Sequence, residues 1–362
     1  MPGLTDRLLA AGCVWVDYLE NLPPLVSDRS AQAGDEELRC VTGRRPVVES
    51  VVAAAAEEAP GVSVRRGVRV RQLLAGASAI PGTPHVSGVV TEAGEQLRAD
   101  LVIDAMGWRT PAMEWLAQLG AQQPQIESED RGFVYYTRYF TGTNRPRRRA
   151  PALCPIGSFS VLTLEGDNDT WSITLFGITG DAALKALRDP DCFTRVVQAC
   201  PLHAHWLDGT PITGVLSMAG ILDRYHRFAI DGQPVVSGYA AVGDAWACTN
   251  PSAGRGLSVG LVHAQLLRSV VRAHFDDPAE LAQIWHQHTE QHVAPYYWNQ
   301  VAADRARIAE ITALRDGRPP PERNSVMDRF VKAAAGTRWS FVRYSKLCCA
   351  WRCHKKCPNA LA

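Results

Sequence analysis

Hydrophobic and polar residues in the first part of this chain follow helical spacing in some segments and strand-like alternation in others. The helical spacing predicts helices over residues 4–12, 46–59 and 111–120. The alternation predicts strands over residues 62–70, 85–90 and 96–105. The second helix has Pro46 in its first turn and Pro60-Gly61 as its stop. The last two strands flank a glycine-containing turn and are predicted to form a β-hairpin, with residues 96–105 as one long apolar strand.

The pattern changes between residues 131 and 230 and then changes back. Residues 131–178 are rich in strands, and the stretch Glu165–Asp169 is a turn signal between two apolar runs. Helical spacing follows over 180–207, broken at two prolines, and later over 256–272 and 278–315. A buried strand ends at Gly243. The order predicts the α/β class: one α/β unit, interrupted by a β-rich (α+β) insert and resumed after it.

Composition narrows the class of protein without naming a reaction. The chain has 362 residues, 46% hydrophobic and 21% charged, with a formal net charge of +1, which is typical of a globular protein and gives no case for nucleic acid. No apolar run approaches the roughly 20 residues of a membrane span, and the N-terminus does not resemble a secretory signal. We therefore expect a cytoplasmic protein without a nucleic-acid or membrane partner, with its oligomeric state left open.

The most informative segment is residues 238–264, an apolar strand, a Gly-Asp turn, a Pro- and Gly-rich loop and a helix. This arrangement suits a flavin: Asp244 can hydrogen-bond a ribityl hydroxyl, Pro251 shapes the loop, and Gly254-Arg255-Gly256 bring backbone N–H groups to the ring. The helix N-terminus favours negative charge there. An ordinary strand-turn-helix with a plain cap remains the alternative interpretation.

Two further segments carry weaker signals. Residues 99–110 form an apolar strand that ends at Asp104 and turns at Gly107, at the edge where α/β sheets bind ligands. Arg45 stands just before Pro46 at a predicted helix start, where it could hold a pyrophosphate oxygen. A plain strand-to-loop transition and a solvated arginine are the respective alternatives.

Taken together and in this order, the three segments resemble a known family. Its motifs match Arg45-Pro46; Asp104, Ala105, Gly107 and Arg109-Thr110; and Gly243, Asp244, Ala245, Pro251, Gly254 and Gly256. The chain thus resembles the FAD-dependent aromatic hydroxylases of the p-hydroxybenzoate hydroxylase type over roughly residues 1–310. The last motif is highly specific, the middle one moderately and the arginine weakly.

The resemblance implies a three-layer FAD-binding domain interrupted by a β-rich substrate domain, with a helical C-terminal part. The implied domains are a partial FAD-binding domain over 1–110, a substrate domain over 111–230, the second part of the FAD-binding domain over 231–275, a helical region over 276–316, and a linker with a Cys-rich tail over 317–362. It also implies FAD as cofactor, NAD(P)H as electron donor, and a monooxygenase acting on a small, possibly aromatic molecule. A flavin-dependent halogenase or an isoprenoid-type reductase is the alternative enzyme.

One element of the family is missing from this sequence. Family members begin with a βαβ unit that carries G-x-G-x-x-G, and no segment before Arg45 fits it. The sequence therefore predicts a chain truncated by roughly 90 residues relative to the family, an estimate that assumes a βαβ unit of the usual kind. The cause is either a misassigned start or a decayed or split gene. A non-catalytic remnant that holds no FAD is the alternative from another functional class.

Two histidine or cysteine clusters raise the question of a metal. His288 and His292 lie four residues apart on a predicted helix, and residues 348–357 contain four cysteines and His354. A solvated helix face and a disordered tail are the favoured interpretations, so no metal site is predicted.

Overall fold

The protein is described by a computed structural model that covers residues 3–20, 22, 26–322 and 333. The cysteine-rich segment 348–357 lies outside these residues. Within them the chain divides into two compact units: the first contains residues 3–64, 133–220 and 306–322, and the second contains residues 65–132 and 221–305. The domain boundaries predicted above remain a prediction.

The helices and strands are numbered in chain order. The helices are α1 Leu4–Ala10, α2 Arg45–Glu57, α3 Ala112–Gln118, α4 Pro190–Gln198, α5 Gly256–His274, α6 Pro278–His292 and α7 Ala294–Arg315. The strands are β1 Val14–Asp17, β2 Arg39–Thr42, β3 Val70–Ile80, β4 Thr83–Thr91, β5 Gln96–Arg98, β6 Val102–Asp104, β7 Gln125–Ser128, β8 Phe133–Thr141, β9 Leu153–Ile156, β10 Phe159–Glu165, β11 Thr170–Ile178, β12 Thr210–Pro211, β13 Leu216–Met218, β14 Arg224–Arg227, β15 Ala229–Ile230, β16 Gln233–Pro234, β17 Tyr239–Ala241 and β18 Ala247–Cys248.

An antiparallel sheet with strand order β12-β8-β11-β10-β9 forms the core of the first unit. Strand β11 is buried along its whole length because both faces of the sheet are covered. Trp171, Ile173 and Leu175 pack on one face with Tyr136, whereas Phe176 and Ile178 pack on the other with Ile311 of α7. The period-2 alternation of a strand explains this division. The side chains on the first of these faces are therefore packing residues, namely Tyr136, Trp171, Ile173 and Leu175.

The turn between β10 and β11 ties the N-terminal part of the first unit to its sheet. Asn168 and Asp169 both have positive φ, as a tight hairpin turn requires. The fully buried Asp167 accepts hydrogen bonds from the Arg44 backbone N–H at 2.7 Å and from its guanidinium at 2.7 Å. Burial alone raises the pKa of Asp167, but the bonds from Arg44 and Asn168 outweigh it and lower that pKa. The predicted turn at 165–169 is confirmed.

Small sheets and helices make up the second unit. Strands β3, β4 and β5 form an antiparallel sheet, β18-β14-β7 form another, and β6 and β17 form a parallel pair. The main apolar cluster includes Val86, Trp115, Tyr225, Tyr239 and Trp246. A second cluster lies where α5 and α6 pack on β17. No helix in the described residues is both long and apolar enough to cross a lipid bilayer.

Most predicted elements are confirmed, but two strand predictions are wrong. Residues 62–69 are not a strand, because Gly67 turns at φ 72° and the valines around it stay exposed without a partner strand. Residues 96–105 are not one strand: β5 pairs antiparallel with β4, whereas β6 pairs parallel with β17. The chain must bend between the two sheets, at residues 99–101.

Candidate functional site

The two strand ends singled out in the sequence lie next to each other in the second unit. Strands β6 and β17 pair in parallel, so that Asp104 at the end of one strand faces Ala241 of the other. The Val242 backbone N–H donates to the Asp104 carbonyl at 2.9 Å. The turns that follow, Gly107–Arg109 and Gly243–Ala245, contact each other. Parallel pairing thus brings two motifs about 135 positions apart to one edge, where α/β sheets bind ligands.

Asp104 fixes the first of these turns from inside. Its carboxylate is buried and accepts hydrogen bonds from the Met106 backbone N–H at 2.8 Å, from the Tyr239 hydroxyl at 2.7 Å and from the Thr110 hydroxyl. Burial, followed by the nearby charge of Asp104, raises the pKa of Tyr239, which keeps its proton for this bond. In this structure Asp104 orders the turn; its direct contact with a cofactor remains a prediction.

His263 of α5 holds the second turn. The Gly243 N–H donates to His263 Nδ1 at 3.2 Å, and His263 Nε2 lies 3.1 Å from the Thr289 hydroxyl. The imidazole is fully buried and stacks on Trp285 with ring centroids 4.5 Å apart. Burial lowers the pKa of His263 to about 3. The ring is therefore neutral, with its proton on Nε2, and Nδ1 is free to accept from Gly243.

The loop Asn250–Gly256, called the cofactor loop below, leads from β18 into α5. Gly254 has φ 64°, and a Cβ added at Gly254 or Gly256 would find no atom within 4 Å. No side chain of the described residues caps the α5 N-terminus, and its first turn contains no acidic residue. The first backbone N–H groups of this helix, which has 19 residues, therefore have no side-chain acceptor among the described residues.

The cofactor loop rests on two buried carboxyl groups that the sequence analysis did not identify. Asp223 precedes β14 and Asn250 follows β18; because these strands pair antiparallel, the two residues meet, and the Asn250 N–H donates to Asp223 at 2.7 Å. Asp304 of α7 lies beside Asp223. Burial, and then the charge of Asp223, raises the pKa of Asp304 to about 7.

Gln300 connects the same helix face to both halves of the loop. Its side-chain amide N–H lies 3.0 Å from Asp304 Oδ1 and 3.3 Å from the Ser252 hydroxyl. Its carbonyl oxygen accepts from the Arg255 guanidinium at 3.0 Å. The side chain of Arg255 therefore stabilises the loop in which Arg255 lies. Gln300 and Asp304 are four residues apart and share a helix face, but nothing in the sequence alone marks that face as part of a site.

The remaining predicted residues occupy different environments. Asp244 is exposed, and Pro251 opens the short turn Pro251–Ala253 of the cofactor loop. Gly107 has φ 78° and open space at its Cβ position. Arg45 belongs to the first unit, where its side chain is 86% exposed and pairs with Glu49 at 2.5 Å. Among the described residues no group of three or more His, Cys, Asp or Glu could hold a metal ion.

The residues at this edge of the second unit fit the flavin part of FAD. An exposed carboxylate beside an open backbone suits a ribityl chain, and uncapped N–H groups suit the polar edge of a flat ring. Apolar surface is also available: Ile103 and Met106 near the first turn, and Leu257 and Leu261 on α5, are each about half exposed. Glycines without a neighbouring atom leave room for a ring to approach the backbone.

Comparison with known proteins identifies the fold. No known protein-family profile matches the chain. Over 201 residues it is 29% identical to protein Rv3254 of Mycobacterium tuberculosis, a match that covers 52% of this chain and 40% of the length of Rv3254. The chain thus spans well under half of that relative.

Solved structures match over a larger share of the chain. HpxO of Klebsiella pneumoniae, solved in complex with FAD, has a TM-score of 0.60 at 15% identity and covers 87% of this chain and 75% of its own. PqsL of Pseudomonas aeruginosa, a probable FAD-dependent monooxygenase, has 0.57 at 15%, covering 87% and 82%. The flavin-dependent brominase Bmp2 has 0.53 at 18%, covering 92% and 80%. The chain has the mixed α/β fold of FAD-dependent monooxygenases of the p-hydroxybenzoate hydroxylase-like type, which confirms the predicted fold class.

Proposed function

We propose that this protein is an FAD-dependent oxidoreductase, a monooxygenase that hydroxylates a small aromatic molecule with NAD(P)H as electron donor in the cytoplasm. The observation that carries the proposal is the convergence of the Asp104 and Gly243-Asp244 turns beside an uncapped helix N-terminus. The shared fold supports FAD as the cofactor, since one of the neighbours is an FAD complex. Another neighbour, PqsL, is solved in complex with 2-aminobenzoylacetate, which supports a small-molecule substrate.

Each part of the site has a task in this proposal. Asp244 accepts a hydrogen bond from a ribityl hydroxyl. The N–H groups of Gly256 and its neighbours, with the positive end of the α5 dipole, stabilise negative charge on the polar edge of the ring. Asp104 and His263 hold the two turns in place, and direct contact between Asp104 and the cofactor stays a prediction. FAD, when bound, supplies the redox chemistry that activates oxygen.

The predicted domain 111–230, of which residues 133–220 lie in the first unit, is proposed to bind the substrate. Its long antiparallel sheet is packed on both faces by side chains. The domain boundaries and the role of Arg45 as a pyrophosphate ligand belong to this proposal as well. Arg45 supports it through its exposure, because an exposed guanidinium can exchange its ion pair with Glu49 for a phosphate oxygen.

Flavin binding by the 362-residue chain tests the proposal directly. The purified protein is titrated with FAD, desalted and measured by visible absorption. We expect a retained flavin band, and about tenfold weaker FAD binding in Asp244→Ala because one hydrogen bond to the ribityl chain is lost. Asp276→Ala removes another exposed carboxylate, far along the chain from the loop, and serves as the matched control.

Two results would count against the function. Absence of any saturable FAD binding by the folded protein would favour the non-catalytic alternative. Equal affinities of wild-type protein and Asp244→Ala would remove Asp244 from the site. If FAD binds, oxygen consumption with NADPH or NADH in the presence of simple phenols and anilines tests the hydroxylase, and the same assay with bromide tests the halogenase chemistry of the brominase neighbour.

A further inference from the structure

Asp223 and Asp304 form a buried acid pair beneath the cofactor loop. Their residues are 4% and 7% exposed, and their carboxyl groups lie within hydrogen-bonding reach of each other. Asp304 Oδ1 accepts from Gln300, and the Asn250 side-chain amide also hydrogen-bonds this carboxyl group, whereas Oδ2 meets no donor of the described residues at hydrogen-bonding distance and angle. A carboxylate oxygen without a donor is costly to bury, so the arrangement requires an explanation.

The other charges around the pair do not supply the missing donor. Arg305, whose positive charge acts on Asp223, makes an ion pair with Glu129 at 2.6 Å, and Arg255 donates to Gln300. Glu129 itself adds negative charge toward Asp223, and the neutral hydroxyl of Tyr297 and thiol of Cys248 also face the pair. Two carboxylates side by side in such surroundings cannot both be ionised. A proton on Asp304 Oδ2 that is donated to Asp223 satisfies both groups at once.

The pair is connected to the cofactor loop at two points. Asp223 accepts the backbone N–H of Asn250, the first residue of the loop. Asp304 accepts from Gln300, which also bonds Ser252 and Arg255 further along the loop. Separation of the two carboxyl groups would therefore pull on both ends of the loop that leads into the α5 N-terminus.

We propose that Asp223 and Asp304 share a single proton, and that this proton holds the cofactor loop in the position in which its backbone binds the flavin ring. The flavin part of this statement rests on the proposed function; the anchoring of the loop does not. Both aspartates are positioning residues, since they act on the cofactor through Asn250, Gln300 and Ser252.

The proposal predicts a loop that loosens as pH rises. Burial raises the pKa of both aspartates, that of Asp304 to about 7, so the pair holds its proton in mildly acidic solution and releases it to solvent as pH rises through neutrality. Loss of that proton leaves two buried negative charges in contact, and the loop is released to let water reach them. Between about pH 6 and about pH 8.5 the population of the open loop should increase about tenfold for a group titrating near neutrality.

Limited trypsin digestion reports on the loop without any flavin. Trypsin must bind the Arg255 guanidinium, so cleavage after Arg255 requires that this side chain leave Gln300, whereas cleavage after Arg66, in an exposed turn, measures protease activity at each pH. The rate ratio of the two cuts, followed by mass spectrometry, should rise about tenfold over this pH range in the wild-type protein. In Asp304→Asn an amide N–H replaces the shared proton permanently, and the ratio should stay low and constant.

A second variant and a second measurement keep the test independent of folding defects. Asp223→Asn should also give a pH-independent ratio, and Asp276→Asn, an exposed control, should keep the wild-type profile. Far-UV circular dichroism verifies that each variant is folded. A ratio of the two cleavage rates that does not change with pH in the wild-type protein would overturn the proposal. The same increase of this ratio with pH in Asp223→Asn and Asp304→Asn as in the wild-type protein would also overturn it.

FAD affinity measured over the same pH range separates this inference from the proposed function. We expect wild-type affinity to fall about tenfold as the loop opens and to remain constant in Asp304→Asn. A pH-dependent loop in a protein that never binds FAD would support the acid pair as an anchor and refute the flavin site.

Discussion

Replacing His263 by phenylalanine tests the structural role of this buried imidazole. Phenylalanine has a similar shape and can still stack on Trp285, so the change removes mainly the hydrogen bonds. The Gly243 N–H loses its acceptor, and the Thr289 hydroxyl loses its partner. A buried donor left unpaired costs about 1–3 kcal/mol. We therefore expect His263→Phe to lower the free energy of unfolding by about 2 kcal/mol at neutral pH.

The pH dependence gives a sharper form of this prediction. Burial depresses the pKa of His263 to about 3, whereas an unfolded histidine titrates near 6.5. Between these values the unfolded chain binds a proton that the folded chain does not, so the stability due to His263 is present above about pH 6.5 and is lost as pH falls. At about pH 5 the loss is about 2 kcal/mol, from 1.36 kcal/mol for each of roughly 1.5 pH units.

Urea unfolding of wild-type and variant protein from about pH 7 to about pH 5 measures both contributions to the free energy of unfolding, that of the hydrogen bonds and that of protonation. Because His263→Phe has no imidazole to protonate, the two stabilities should converge near pH 5. Thr289→Val is the matched control: it removes the Nε2 partner but keeps the ring, so its deficit should be about 1 kcal/mol at every pH. A deficit of His263→Phe that does not change with pH would refute the assignment of a neutral, buried His263.

Two further pairs of variants test packing in the first unit. Arg44→Ala leaves the fully buried Asp167 without its cation and should lower stability by about 3–5 kcal/mol, whereas Arg45→Ala, at the next position and exposed, should change it by less than about 0.5 kcal/mol. Equal denaturation midpoints for the two variants would contradict this. Gly209→Ala places a Cβ 2.8 Å from the Thr141 carbonyl and against the Trp171 ring, and should cost about 1–3 kcal/mol, while Gly214→Ala, with no atom within 4 Å, should not. Equal thermal unfolding midpoints of the two variants would show that the Trp171 packing is wrong.

The sequence predicted best where local chemistry decides the structure. Prolines and glycines mark the ends of α2, and the turn at residues 165–169 forms where Asn and Asp accept positive φ. The convergence of the Asp104 and Gly243 turns was also accessible, because apolar strands that end in an acid and a glycine have a known place in α/β sheets.

The sequence predicted worst where tertiary partners decide. Residues 62–69 alternate like a strand but have no neighbour in a sheet, and the split between β5 and β6 depends on which strand each one pairs with. Three separate segments contain the residues that the sequence analysis missed, namely Asp223, His263, Gln300 and Asp304. No motif marks any of them within its own segment. Only the folded chain shows that Asp223, Gln300 and Asp304 support the cofactor loop and that His263 holds the Gly243 turn before it.

The long separation between β6 and β17 has a consequence for synthesis of the protein. Asp104 and its partner Tyr239 are 135 positions apart, so a ribosome that adds about 5–20 residues per second needs roughly 7–27 s between them. During that interval β6 has no parallel partner, while the β10–β11 hairpin, whose contacts are local, can form within microseconds. The candidate cofactor site is thus completed only after α7 leaves the ribosome. Expression at low temperature, or with a chaperone that shields β6, should raise the soluble yield.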